Sequence, residues 1–307
     1  MSETGLRYLL EALRAGSMRA AGDRLDVAAS SISRQIAQLE EHYGAALVEK
    51  GRRGIRLTRA GEIVVEHYRN QLADREALHA RLADLRAVRT GEVTLAVGEG
   101  FLGRSLTDMI TRFRQDHPGI QLSIIVGTSQ DIARMVAEDE AHLGLVFQIP
   151  HDPKLQVRNV IAQPLMVIAA PDHPLAEAAQ VSIADLHDYP LCLMERSFRI
   201  RQILAEAEAG SGRYLAPAVT TNSIFMMLDL ARTGGALTIL PRLSVWSELQ
   251  RGALVAIPIA GVEMERTSVS LILRAGRKLE GAPARFLAAQ ERLLRQWAQT
   301  QPDAGRL

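Results

Sequence analysis

Apolar residues recur at helical spacing through the first part of the chain. Leu6, Leu9, Leu10 and Leu13 make the stripe of a first helix. Ser17 can cap a short second helix whose buried face is Ala20, Ala21 and Leu25, and the two alanines allow close approach of a neighbouring helix. Asp26, Val27 and Ala28 form a turn. A third helix then runs to about Tyr43, with Ile32, Ile36 and Leu39 facing inward, Ser30, Ser33, Arg34 and Gln38 facing outward, and Gly44 as a left-handed terminator. From the capping residue Thr58 to about Val88 the pattern predicts one long helix. Val64, Tyr68, Leu72, Leu78, Leu82 and Leu85 keep near-heptad spacing along it, a stripe narrow enough to seal against a partner helix. It reads as a dimerisation and linker helix; packing on the following domain is the alternative.

After Gly91 the pattern changes. VTLAV (93–97), IQLSIIV (120–126), HLGLVF (142–147), LMVIAA (165–170), LCLM (191–194), ALTIL (236–240) and TSVSLIL (267–273) read as strands. Helical segments alternate with them, roughly 101–117, 130–140, 198–209, 222–233 and 282–299. Near-continuous apolar strands between amphipathic helices predict an α/β domain with parallel sheets covered on both faces. One lobe or two is left open by spacing alone.

Composition narrows the partners. The chain has 307 residues, too many for one small core, and a net charge of only +1, so affinity for nucleic acid must come from local clustering. Such a cluster exists: Lys50, Arg52, Arg53, Arg56 and Arg59 surround a Gly51 to Gly54 turn, with no acidic residue between Lys50 and Ala60. Phosphate is the partner this charge suits. The single cysteine, Cys192, lies in an apolar run and reads as a core thiol, which fits a reducing cytoplasm and excludes an intrachain disulfide or thiolate metal cluster. No apolar run approaches membrane-spanning length and the opening MSETGLRYLL is not that of an export signal, so the cytoplasm is the expected location.

A short helix carrying small hydroxyls and an arginine near its start suits the major groove, where Ser bonds several base edges and Arg grips guanine or phosphate. The candidate DNA-binding residues are therefore Ser17, Ala29, Ser30, Ser33, Arg34 and Gln38 on the helix-turn-helix, and Lys50, Arg52 and Arg53 on the wing. A solvated basic turn is the plainer reading of the wing, and it loses ground because the wing follows a helix-turn-helix directly.

Gly98, Gly100 and Gly103 spell G-x-G-x-x-G between a strand and a helix. That fingerprint also needs an acid at the end of the next strand, and here IQLSIIV runs into Gly127, Thr128 and Ser129. Nicotinamide binding is accordingly not expected. The chain has no G-x-S-x-G, no H-E-x-x-H and no phosphate loop, and its histidines lack ligand spacing; neither catalytic nor metal-binding residues, nor a cofactor, are expected. The competing view is a ligand-binding or catalytic α/β protein whose N-terminal bundle serves only for oligomerisation.

The stretch SMRAAGDRLDVAASSISRQIAQLEEHYGAALVEK with LTRAGE, together with FRQDHPGIQLSIIVGTS, APDHPLA and GGALTILP further on, resembles the LysR-type transcriptional regulators over essentially the full length. The resemblance implies an α/β architecture with three parts: a winged helix-turn-helix domain over 1–58, a linker and dimerisation helix over 59–90, and a periplasmic-binding-protein-like effector domain over 91–307. The last would have two lobes, lobe I about 91–163 and 268–300 and lobe II about 164–267, with crossovers near Gln163 to Val167 and Glu265 to Ser270. Also implied are a dimer of dimers, double-stranded DNA with an interrupted palindromic operator, a small-molecule effector between the lobes and, for an activator, RNA polymerase. The sequence departs from the family where Ala29-Ser30 replaces Gln-Pro at the start of the recognition helix, so an adenine-reading Gln is missing and Ala29 is left to touch a thymine methyl. Val48, Lys50 and His142 replace the family's Phe, Arg and Asp.

Open α/β sheets bind ligands at the carboxyl ends of their strands. Those ends, and matching family positions, give Glu99, Gly100, Phe101, Thr128, Ser129, Phe147, Arg196, Phe198, Arg199, Asn222 and Ser223 as candidate effector-binding residues. Thr128, Ser129, Asn222 and Ser223 are equally ordinary helix caps. Two hydroxyl-bearing helix starts favour an anionic group such as a carboxylate, with Arg196 or Arg199 as counter-charge. Glu99 works against a simple acid and tilts the expectation towards an amino-acid-like or hydroxy-acid effector.

Overall fold

The computed structural model describes residues 3–49, 54–85, 90–149 and 151–299. The chain divides into two compact units between His79 and Ala80, each with its own hydrophobic core.

The first unit is built on α1 (Glu3–Ala15), α2 (Met18–Leu25), α3 (Ala29–Tyr43) and the start of α4 (Arg59–Leu85). Leu6, Leu9, Ile32, Ile36, Leu39 and Leu47 form one core with Val64, Val65 and Tyr68. Ser17 caps α2 by accepting from Ala20 N at 3.1 Å, and Asp26 turns the chain in the left-handed region at φ 53°. Gly44 ends α3 at φ 65°. The wing returns antiparallel through the Val48–Leu57 bridge and Glu49 N donating to Arg56 O at 2.9 Å. Lys50, Arg52 and Arg53 lie outside the described residues, as does the expected continuation of α4 to Val88.

The start of α4 explains the segment LTRAGE. Thr58 Oγ1 donates to Ala46 O and accepts from Gly61 N at 3.1 Å, so it caps the helix and ties it to the strand before the wing. Gly61 is needed for space: a Cβ there would collide with Leu47 O. The heptad stripe of α4 is not one continuous seam. Val64 and Tyr68 belong to the bundle core and Leu72 packs against it, because the helix begins inside that core; Leu78 and Leu82 remain exposed.

The second unit follows the order β1 (Gly91–Val97), α5 (Arg104–Asp116), β2 (Ile120–Val126), α6 (Ser129–Ala137), β3 (Leu143–Phe147), β4 (Leu155–Ala162), β5 (Leu165–Ala169), β6 (Cys192–Met194), α7 (Arg199–Ser211), β7 (Val219–Thr221), α8 (Ile224–Arg232), β8 (Thr238–Pro241), α9 (Trp246–Gln250), β9 (Val255–Pro258), α10 (Val262–Glu265), β10 (Ser268–Arg274) and α11 (Gly281–Gln299). Lobe I holds the sheet β2-β1-β3-β10-β4; lobe II holds β8-β5-β9 and the pair β6-β7, joined to β8's approach by the Leu191–Leu237 bridge. The expectation of parallel sheets needs correction. Among the strands named here, β2-β1-β3 and β6-β7 are parallel; β10 runs antiparallel to β3 and β4, and β5 antiparallel to β8 and β9. The cause is the connection: β10 re-enters lobe I from lobe II rather than from a helix of its own lobe, so no right-handed βαβ crossover fixes its direction.

One face of the lobe I sheet is covered by α5 and α11 through Phe113, Phe286 and Leu293, the other by α6 through Ile132, Met135 and Val136. The chain passes between the lobes at Gln163 and Pro164, after β4, and at Arg266 and Thr267, before β10. Cys192 is fully buried in lobe II, and burial pushes its thiol pKa up. Among the described residues no helix is long and apolar enough to cross a membrane, and no His, Cys, Asp and Glu group could hold a metal ion.

Candidate functional site

Two surfaces concentrate polar side chains on rigid supports. The first is α3. Its inward positions Ile32, Ile36 and Leu39 are buried, which fixes the rotation of the helix and leaves Ser30, Ser33, Arg34, Ala37 and Gln38 as one exposed stripe. Ala29, half-buried, is the first residue of α3, whose start has no side-chain cap. Arg34 forms no ion pair among the described residues, so its guanidinium remains available to an outside acceptor. Ser17 faces another way in function: its hydroxyl accepts from the α2 backbone, which makes it first of all a cap.

Glu40, which the sequence pattern did not single out, holds the wing to α3. One carboxylate oxygen accepts from Leu47 N at 2.7 Å and Val48 N at 3.2 Å. Ile55 N donates to Gly16 O at 3.1 Å, so the returning wing strand is pinned to the turn between α1 and α2. Arg56 is exposed on that strand, and Arg59 pairs with Glu62 at 2.8 Å.

The second surface is the cleft of the second unit. A cavity of about 240 Å³ lies between the lobes. Of the expected residues, Glu99, Gly100, Phe101, Thr128, Ser129, Phe147, Phe198, Arg199 and Asn222 line it. Arg196 does not, being exposed before α7. Ser223 is not in the lining but donates at 3.4 Å to Glu99, which is. The lining residues that strand-end reasoning missed include Asp131, Met194, Ile224, Pro241 and Ser244; of these, Pro241 and Ser244 follow ALTIL, where the same rule applied to β8 would have found them. A larger groove of about 640 Å³ runs along α5 and α11, with Trp246 of α9 also lining it.

Most of the charged and hydroxyl groups of the cleft are bonded within the protein. Glu99 Oε1 accepts from Ile224 N at 3.0 Å, with longer contacts of 3.4 Å from Ser223 Oγ and Phe225 N, so a lobe I carboxylate caps the first turn of lobe II helix α8. At α6, Asp131 Oδ2 accepts from Thr128 Oγ1 at 2.6 Å and Thr128 N at 3.2 Å in a capping box. Ser129 Oγ donates to Phe147 O at 2.6 Å. Arg199 donates to Glu206 at 2.8 Å. At the two hydroxyl-bearing helix starts where the sequence pattern predicts a bound carboxylate, protein carboxylates, Asp131 and Glu99, are already bonded. Gly100 supports the interlobe contact, since a Cβ there would lie 2.5 Å from Ser244 Oγ and 3.1 Å from Ile224 Cδ1.

Comparison with known proteins covers both surfaces. Residues 4–62 match the family model described as bacterial regulatory helix-turn-helix protein, lysR family, and residues 86–294 match the LysR substrate binding domain. The chain is similar to the SDS degradation transcriptional activation protein of a Pseudomonas species, 27% identical over 306 residues, covering 98% of each chain. It is also similar to the crystal structure of CbnR, a LysR family transcriptional regulator, at 25% identity and TM-score 0.53, with 94% of this chain and 99% of that one covered. The structure of full-length CbnR complexed with its target DNA matches at 24% identity and TM-score 0.53, covering 95% of this chain and 100% of that one. The N-terminal match takes in α1 to the start of α4 and the longer match takes in both lobes, so the protein belongs to the LysR family of transcriptional regulators.

Proposed function

We propose that residues 1–58 bind double-stranded DNA at an interrupted palindromic operator, that 59–90 link and dimerise, and that 91–307 bind a small-molecule effector in the cleft between lobe I (about 91–163 and 268–300) and lobe II (about 164–267). The observation that carries this reading is the α3 stripe: Ser30, Ser33, Arg34 and Gln38 project from a helix whose other face is locked in a core. Ala29, Ser30, Ser33, Arg34 and Gln38 would meet base edges, and Ser17 with Lys50, Arg52 and Arg53 would meet phosphates. The DNA-bound CbnR relative, similar over nearly the whole chain, supports the same use of this domain. Exposed Leu78 and Leu82 on α4 support a helix-to-helix contact between copies, and paired domains fit a two-fold operator; a dimer of dimers is the assembly we infer. The protein would act in the cytoplasm, with RNA polymerase as a further partner if it activates, and no catalytic residue or cofactor is assigned.

Effector binding alters DNA binding only if the two assembly shapes differ in affinity for the ligand. A gel-shift with the full-length protein on DNA flanking its own gene, in the presence of heparin, tests the reading. A retained, sequence-dependent complex supports it. Loss of the complex to heparin on every flanking fragment would instead favour a ligand-binding α/β protein with an oligomerisation bundle.

A further inference from the structure

We propose that the interlobe cleft selects a small ligand with a cationic head, an ammonium or guanidinium group, on an apolar body; this rests on the reading of that cavity as the effector site. The charged side chains of the lining, Glu99, Asp131 and Arg199, decide the sign of the charge. Several donors that could hold an anion are occupied; the Asn222 amide and the Ser244 hydroxyl, which also line the cavity, are neutral groups that can donate or accept and so serve either sign of charge. Gly98 N donates to Leu145 O at 3.2 Å and Gly127 N to Val97 O at 3.2 Å. Thr128 N and its hydroxyl both go to Asp131, the Ser129 hydroxyl goes to Phe147 O, and Arg199 is paired with Glu206.

Acceptors remain. Glu99 uses only Oε1 and Asp131 only Oδ2 among the described residues, so each carboxylate keeps an oxygen without a hydrogen bond. The ionised side chains lining the cavity are therefore two carboxylates and one arginine already neutralised by Glu206. An incoming carboxylate would face like charge at both helix starts, or would have to displace Glu99 from Ile224 N or Asp131 from Thr128 N. A cation finds two open acceptors instead.

The rest of the lining agrees. Phe101, Phe147 and Phe198 contribute aromatic rings, whose electron-rich faces attract cations when water is excluded, and Met194, Ile200 and Ile224 complete an apolar wall. The cavity, about 240 Å³, is smaller than sites that hold drug-sized molecules, so the ligand is small. A cation on the free oxygen of Glu99 leaves its other oxygen on α8, so ligand binding is compatible with the interlobe contact, whereas an anion would compete with it.

The test uses the full-length protein and matched small probes: benzylamine, benzyl alcohol and benzoate, and the corresponding cyclohexyl and butyl series, at equal ionic strength. Ligands that bind the native state raise the melting temperature in a saturable way. At least one amine should do so, its carboxylate and alcohol counterparts should not, and Glu99→Gln should weaken the amine about tenfold while keeping an acceptor for α8. Val126→Trp, at an exposed position on the cavity rim, should abolish the effect without touching the core. Stabilisation by carboxylates that Val126→Trp removes would overturn the cationic class and keep the cavity as the binding site. Amine binding indifferent to both substitutions would overturn the cavity reading itself. Equal binding of amine and alcohol, or no saturable effect from any amine, would also overturn the proposal.

Discussion

The Thr267 hydroxyl donates to the main-chain carbonyl of Gln163, and Gln163 N returns a bond to Thr267 O at 2.8 Å, so the two crossovers between the lobes are bonded to each other side by side. Both residues are buried. Gln163 extends the link into lobe II, where its Oε1 accepts from Leu243 N at 3.1 Å, and Gln148 N donates to Ser268 O at 2.9 Å just beyond it on the lobe I side. A paired hinge of this kind restricts the lobes to motions that both strands can follow together. At the cleft, the bond from Ile224 N of α8 to the Glu99 carboxylate of lobe I is a second interlobe tie, made by a side chain rather than by backbone alone.

Thr267→Val keeps the shape of the side chain and removes its hydroxyl, leaving the Gln163 and Met264 carbonyls without that donor. We expect a loss of about 1–3 kcal/mol in the urea stability of the effector domain. A chemical denaturation curve of the full-length variant measures it; an unchanged midpoint would show that the hinge bond is dispensable.

Gly61→Ala drives a methyl carbon into the space now filled by Leu47 O, so α4 and the strand before the wing must separate. Overpacking of this kind costs about 1–3 kcal/mol, and the displaced wing should weaken DNA binding as well. Ala60→Gly, next to it, is the control that lowers helix propensity and removes a methyl at the edge of the core without adding bulk. Equal stability of Gly61→Ala and wild type in thermal melts would contradict this close packing.

Glu99→Ala removes the carboxylate that caps α8, leaving Ile224 N without its 3.0 Å partner. Loss of a cap costs about 0.5–2 kcal/mol. Because the cap comes from the other lobe, amide hydrogen exchange should rise both in the first turn of α8 and around residues 98–101. Faster exchange confined to one lobe would mean that the contact does not couple them.

Cys192 should resist an aromatic disulfide reagent at neutral pH in the native protein and react at once in denaturant. Burial raises its thiol pKa, so the thiolate that would attack is scarce, and the side chain has no exposed surface. Rapid native-state modification would show that lobe II opens far more readily than its packing suggests.

Much of the first unit was legible because helical periodicity and capping are local signals. Ile32, Ile36 and Leu39 set the face of α3, and Ser17, Gly44 and Thr58 mark boundaries within a few residues of themselves. What escaped depends on distant partners. β4 reads LQVRNVIA and is mostly solvent-facing, so it lacks the continuous apolar run of a buried strand, and β9 has only four residues. The antiparallel entry of β10 follows from a return between lobes that spacing does not encode. Glu99 could be placed at a strand end, but its partners lie 124 to 126 positions away on α8, and that separation hid the fact that the helix start was already filled. Glu40 likewise looked like one more acid on a solvated helix until the wing backbone met it.

If α3 reads base sequence while the wing holds phosphate, the two roles separate in equilibrium binding of the full-length protein to its operator and to a scrambled duplex, each over a range of salt. Arg34→Ala should lower the operator preference by about 1–3 kcal/mol with little change in salt dependence, whereas joint replacement of Arg52 and Arg53 by Gln should weaken both duplexes alike and reduce the salt slope by about 1 for each phosphate that is no longer neutralised. If Arg34→Ala left the preference for operator over scrambled DNA unchanged, or the wing variant kept the full salt slope, the division of labour between α3 and the wing would be contradicted.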